Sequence, residues 1–301
     1  MTEKLVFHPL HYYFSLFNVS CLQALPYLLH SKMSNTVRVA LWCCQRSMST
    51  LFERCIAAAG HIEIFHEVYL TAYRFGPQHR QENATFETDN DYTYDNVHRM
   101  ISQKFPSGHS VFVKDMAYSI EGRFPELSFE FCHTFLIRSP QKVVKSYIKL
   151  LESCHFDEDY VSELREKLPN SFKQQCLLYD YIREYGSQSR ILVIDADDFV
   201  TMPETVLRRY CQETGLIFNE CMLSYESLDS IPDEWHCSKV LKNATKERGS
   251  HERALHSTGV ELTKPDDIGL ELSSDWKNCV GKCEKFYNIM FDRRTRFEDH
   301  W

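Results

Sequence analysis

The sequence predicts an α/β protein built on a mostly parallel, doubly wound sheet. Short apolar runs alternate with stretches of helical periodicity along most of the chain. Two of those runs end in short turns that carry arginine and hydroxyl side chains and lead straight into helices. The length, 301 residues, suits one large α/β domain with ample apolar content for a core. Apolar runs without polar alternation are what strands buried on both faces look like, and strand–helix alternation is the pattern of a parallel sheet.

Taken in order, the first strand is Arg38-Val39-Ala40-Leu41-Trp42-Cys43. It passes through the turn Cys44-Gln45-Arg46-Ser47-Met48-Ser49-Thr50 into a helix spanning residues 50–59. Residues 62–65 form the second strand, which closes on His66-Glu67 ahead of an aromatic-rich segment. A helix is expected over 94–104, and a strand over 110–114 that ends in Asp115-Met116. Residues 133–138 read as a further buried strand. Pro140 then opens a helix, because the missing N–H of proline is harmless in a first turn. Helical spacing returns over 157–167 and 171–185. The apolar run 190–194 is closed by Asp195, Asp197 and Asp198, and residues 203–211 form a helix with Gly215 as its stop. Trp276, Val280, Cys283, Phe286, Tyr287 and Met290 recur at helical spacing and pack a last helix, whose outer side leaves room for a homodimer contact. The polar stretches 76–96 and 236–272 read as irregular loops, the first a candidate lid over a substrate.

The turn after the first strand is an anion pocket by construction. A helix N-terminus presents unpartnered N–H groups and the positive end of the helix dipole. Arg46 adds a permanent cation, and Ser47, Ser49 and Thr50 add hydroxyl donors. It is not a Walker A loop, since no glycine stands between Val37 and Ala59. The second cationic strand end is His133-Thr134-Phe135-Leu136-Ile137-Arg138-Ser139-Pro140, with Ser146 eight residues beyond Arg138 on the following helix. Ligands of doubly wound sheets sit beyond the carboxyl ends of the strands. Residues 43–50, Lys114-Asp115 and Arg138 all lie at such ends.

These two loops resemble the nucleotide-binding loops of the sulfotransferase family, which transfers a sulfuryl group from 3′-phosphoadenosine-5′-phosphosulfate (PAPS). The resemblance runs from Val37 over most of the remaining chain. It implies a three-layer α/β/α, P-loop NTPase-like sulfotransferase fold, PAPS as donor, 3′-phosphoadenosine-5′-phosphate (PAP) as product, and no metal. By that resemblance Gln45, Arg46, Ser47, Met48, Ser49 and Thr50 hold the 5′-phosphosulfate. Arg138 and Ser146, in the pattern of an Arg, a Pro two residues on and a Ser eight residues on, hold the 3′-phosphate. Ser257-Thr258-Gly259, after a basic patch, is the segment expected to close over the nucleotide.

Sulfuryl transfer requires charge neutralisation, positioning and a base for the acceptor proton. Arg46 suits the first two tasks, with Lys114 beside it. Cytosolic members of the family place a Lys-Thr-His triplet where this chain has Lys114-Asp115-Met116, so the family's histidine base is replaced by Met116. The remaining candidates are Asp115, then His66, then Glu67. An aromatic residue expected before the acidic pair is likewise replaced by Ala196, which leaves Trp42 or the 236–272 segment to meet the adenine. These departures keep open a non-catalytic nucleotide-binding or scaffold protein on the same fold.

Composition narrows the partners. The net charge of −8 argues against a broad nucleic-acid-binding face, so the expected acceptor is a small molecule bearing a hydroxyl or amine. The 12 cysteines include no C-x-x-C and mostly fall inside strands or helices, where they read as small apolar side chains of a reducing, cytoplasmic compartment. Residues 1–32 are expected to be an irregular, weakly hydrophobic extension before a single catalytic domain over 33–301. Residues 5–29 lack Asp, Glu, Lys and Arg but contain Pro9, Pro26 and several polar groups, a poor match to a spanning helix of about 20 apolar residues. If they did anchor the chain, the Golgi would be the alternative location.

Overall fold

In the computed structural model, the described residues are 36–78, 87–106, 108–153, 158–188, 190–261 and 270–297. The expected extension over 1–32 lies outside them, as does part of the 76–96 stretch. Five strands form one sheet: β1 (Arg38–Cys43), β2 (Ile62–His66), β3 (Ser110–Met116), β4 (Cys132–Ile137) and β5 (Leu192–Asp195). Their order across the sheet is β2-β3-β1-β4-β5, and every neighbouring pair is parallel. Cys43 is in register with Met116 on one side and Leu136 on the other, so the ends of β1, β3 and β4 finish side by side.

Alternation along each strand sends side chains to two apolar layers. Val39, Leu41 and Cys43 face α1 (Ser49–Ala57), α6 (Ala196–Thr201) and α7 (Pro203–Thr214). Ala40 and Trp42 face the other side, with α2 (Val68–Arg74), α3 (Tyr94–Ser102), α5 (Glu158–Tyr185) and α10 (Ser274–Asp292). The result is the three-layer α/β/α arrangement expected of the sulfotransferase fold. A third cluster, around Val143, Val144 and Tyr147 of α4 (Pro140–Ser153), packs against α5 and α10 and supports the second cationic strand end.

Three features depart from the sequence expectations. The two helical stretches at 157–167 and 171–185 are one helix, α5, which runs through Pro169. The aromatic-rich segment after Glu67 is the helix α2. The 236–272 stretch contains α8 (Lys239–Arg248) and α9 (Glu252–Leu255). Helix α8 is strongly polar because it buries only Leu241 and Ala244, against Phe75. Its boundary signals were nonetheless present: Ser238 accepts from the Val240 amide, and Gly249 closes the helix at φ 60°. His236 exchanges backbone hydrogen bonds with the β2 edge (His66 N to His236 O, 3.0 Å; His236 N to Ile64 O, 2.8 Å). That pairing brings the α8 region alongside the end of β2.

Candidate active site

The turn between β1 and α1 is strained. Arg46 and Met48 both adopt left-handed backbone conformations (φ 59° and 69°), which favour glycine, yet neither is glycine. Met48 is the N-cap of α1 and offers no capping side chain. Among the described residues, the first-turn amides of α1 at Ser49, Thr50 and Leu51 meet no backbone acceptor. Ser47 ties the turn to itself, its hydroxyl donating to the Cys44 carbonyl (2.8 Å). The Gln45 Oε1 is shielded and accepts no hydrogen bond.

The guanidinium of Arg46 crosses this turn. Its Nε donates to Ser146 Oγ (3.0 Å) and its Nη1 to the Ser250 carbonyl (2.6 Å). Arg138 reaches the same place, donating from Nη1 to the Arg46 carbonyl (2.7 Å). Arg46 thus meets Arg138 and Ser146, both distant from it in sequence, at one spot beyond the carboxyl ends of β1 and β4. Arg46 is half-buried and, among the described residues, forms no ion pair; burial depresses its pKa. A charged guanidinium held by neutral oxygens alone is under-compensated, and an oxyanion is its natural partner. These features fit a phosphosulfate: unpartnered amides, an uncompensated cation and a second cation alongside.

Next to the turn lies a dense charged cluster. Lys114, fully buried on β3, sits 2.5 Å from Glu67 Oε1, 3.6 Å from Glu53 Oε2 and 3.5 Å from Thr50 Oγ1. Burial would lower the Lys114 pKa, but Glu67 and Glu53 outweigh it and raise it above the ordinary lysine range. Burial would likewise raise Glu67, but the Lys114 ammonium holds it well below the carboxylate range. His66, also fully buried, places Nδ1 2.7 Å from Glu53 Oε2, while its Nε2 has no hydrogen-bond partner and stands 4.0 Å from Glu67 Oε1. With the proton on Nδ1, donated to Glu53, Nε2 keeps a free lone pair. His251 closes the cluster, its Nε2 3.6 Å from Glu67 Oε1 and its ring edge-on to His66 at 5.0 Å. Burial lowers the His251 pKa to about 3, so this ring is neutral.

His66, Glu67 and His251 bring three possible metal-ligand atoms within 4.8 Å of one another. The ammonium of Lys114 already holds the position a cation would take beside Glu67. That arrangement is suited to moving or holding a proton.

Asp115 lies elsewhere. Neighbours on a strand point to opposite faces, so it turns away from Lys114. Its carboxylate accepts from the amides of Tyr69 (2.6 Å), Leu70 (3.0 Å) and Met116 (2.8 Å) and from Ser119 Oγ (3.1 Å). It caps α2, and burial followed by Glu67 pushes its pKa up to about 7.

Ser257-Thr258-Gly259 is also placed away from the turn. Gly259 bridges to Ser224, and Thr258 accepts from the Tyr225 amide (3.1 Å), beside the far end of α1 where Arg54 is held. The part of this segment that reaches Arg46 is Ser250-His251, immediately after the Gly249 stop of α8. Trp42 is buried in the sheet and donates from Nε1 to His133 (3.1 Å), so it does not meet a nucleotide base. Two contributors escaped the sequence reading, Glu53 and His251. Glu53 could have been found as the one acidic residue on an otherwise apolar face of α1; His251 had no local signal.

The family model described as a sulfotransferase domain matches residues 37–251 of this chain. The chain belongs to that family. Among curated proteins none matches. Similar solved structures include the sulfotransferase domain of the curacin biosynthetic pathway, at 13% identity and TM-score 0.49, covering 83% of this chain and 99% of that one. The sulfotransferase domain of the Synechococcus PCC 7002 olefin synthase is 15% identical with TM-score 0.43, covering 83% and 95%. A sulfotransferase from Alicyclobacillus acidocaldarius is 13% identical with TM-score 0.45, covering 87% and 94%.

Proposed function

We propose that this protein transfers a sulfuryl group from PAPS to a hydroxyl or amine of a small-molecule acceptor. The observation that carries this reading is the guanidinium of Arg46, held among neutral oxygens at an uncapped helix N-terminus with Arg138 on its own carbonyl. Gln45, Arg46 and the first-turn amides of α1 would hold the phosphosulfate, and Arg138 with Ser146 the 3′-phosphate. PAPS, once bound, supplies the sulfuryl group. Arg46 and the α1 amides then neutralise charge building on the bridging oxygen. His66 Nε2, oriented by Glu53, takes the acceptor proton. Lys114 keeps Glu67 ionised beside it, which stabilises the imidazolium that forms. Asp115, committed to capping α2, has no part in the proton transfer. In this reading the product is PAP, no metal takes part, and no nucleic acid is bound.

The Ser250 carbonyl and His251 sit on the donor turn, so ligand entry requires that segment to withdraw. Met116 in place of a histidine base and Ala196 in place of an aromatic residue favour a second reading, a nucleotide-binding protein with no transfer activity. Transfer of labelled sulfate from PAPS to a panel of phenols, alcohols and amines separates the two. The proposed enzyme gives label in acceptor that is lost in His66→Asn, while PAP binding persists in that variant. Tight PAP binding with no transfer to any acceptor supports the second reading instead. Among the described residues no helix is long and apolar enough to cross a membrane. The described cysteines are all free, which supports a reducing, cytoplasmic setting.

A further inference from the structure

The donor loops leave Arg74 unused, a cation with an unpartnered shielded nitrogen. Arg74 ends α2, the helix that begins directly after Glu67. Its Nη2 donates to the Tyr118 hydroxyl (3.0 Å), and its Nε is shielded from solvent with no hydrogen-bond partner. Among the described residues it forms no ion pair, although the chain is acidic and Lys114 nearby has carboxylates on two sides. The end of a helix offers a guanidinium only partial negative charge. The surroundings are phenolic: Tyr73 meets Tyr118 edge-on at 5.5 Å, and the Tyr118 hydroxyl takes the Arg74 hydrogen bond. Arg74 ends the short helix that starts directly after Glu67, and its partner Tyr118 follows Lys114 by four residues just beyond β3, so Arg74 lies one short helix away from the proton-transfer cluster. The donor's phosphates and sulfate are matched by Arg46, Arg138 and Ser146, which leaves Arg74 for the other substrate.

We propose that the acceptor is a small organic anion, a hydroxylated aryl or alkyl acid, whose charged oxyanion group is held by Arg74. The inference rests on the sulfotransferase reading above. Tyr73 and Tyr118 provide the aromatic wall beside that charge, and the fixed guanidinium fork holds the acid end while the hydroxyl meets His66.

The test compares 4-hydroxyphenylacetate with its uncharged amide as sulfate acceptors, in wild type, Arg74→Gln and Arg74→Lys. Wild type is expected to prefer the acid by about 10- to 100-fold in kcat/KM, the worth of one charge-assisted contact. Arg74→Gln erases the preference, Arg74→Lys restores part of it, and PAP affinity stays unchanged in both. Because these two compounds could be poor acceptors, thermal shift of the PAP-loaded protein is read with a set of hydroxy acids and their amides. Stabilisation by acids alone, absent in Arg74→Gln, supports the proposal. Equal response to acids and amides, no response to any acid, or loss of PAP binding in Arg74→Gln overturns it; the last outcome would assign Arg74 to the nucleotide. If wild type does not bind PAP, it is the sulfotransferase reading that fails, and the acid–amide comparison on the nucleotide-free protein then decides Arg74 separately.

Discussion

Arg46 and Lys114 flank the start of the same helix, yet their electrostatic situations are opposite. Lys114 is wholly enclosed and has carboxylates at 2.5 and 3.6 Å. Arg46 is half-buried and rests on a hydroxyl and a carbonyl. The first cation is answered from within the protein. The second is answered only by dipoles, and so is available to an anion from outside. Stability should therefore depend on Lys114 and ligand binding on Arg46.

The largest expected effect breaks that contrast on its internal side. Lys114→Met strands Glu67 and Glu53 in the interior and should cost about 3–5 kcal/mol of unfolding free energy, read by urea denaturation. Arg46→Gln should change stability by less than about 1 kcal/mol in the same assay. A Lys114→Met protein as stable as wild type would show that the cluster is not what it looks like.

The catalytic side comes next. His66→Asn should lower the sulfate-transfer rate by about 100- to 10,000-fold with PAP binding retained. Glu53→Gln should lower it less, because the imidazole remains while its orienting carboxylate is lost. Asp115→Asn should instead reduce stability by about 1–2 kcal/mol through the weakened α2 cap and leave nucleotide affinity alone.

A pH titration sharpens the comparison further. The Glu67 pKa is depressed in the folded protein, so its contribution to stability is present above the ordinary glutamate pKa of about 4.3 and fades as pH falls below it. The stability difference between wild type and Glu67→Gln should be largest near neutrality and shrink in acid. A difference that is independent of pH would remove Glu67 from the ion pair. The smallest expected effect is that of Ser146→Ala, about a fivefold loss of PAP affinity for one neutral hydrogen bond.

The sheet was legible because parallel strands buried on both faces leave uninterrupted apolar runs, as in Val39-Ala40-Leu41-Trp42-Cys43. Arg46 and Arg138 could be picked out because each stands where such a run gives way to a helix. Two members of the charged cluster could not, since Glu53, on α1, and His251, 185 residues further along than His66, join it only after the sheet is assembled. The hydrogen bonds of Asp115 were hidden for a related reason: they come from the amides of α2, a helix concealed in a run of aromatic residues. Helix α8 was missed because a helix that buries only two residues carries almost no periodicity, even with Ser238 and Gly249 marking its ends.

The account stands or falls on whether Arg46 belongs to an anion site. Isothermal titration of PAPS and PAP into wild type and Arg46→Gln, with unfolding measured on the same samples, tests this directly. The expected result is one-to-one binding by wild type, an affinity weakened about 100-fold or more in the variant, most strongly for PAPS, and equal stability of the two proteins. Equal affinities in two equally stable proteins would contradict the account.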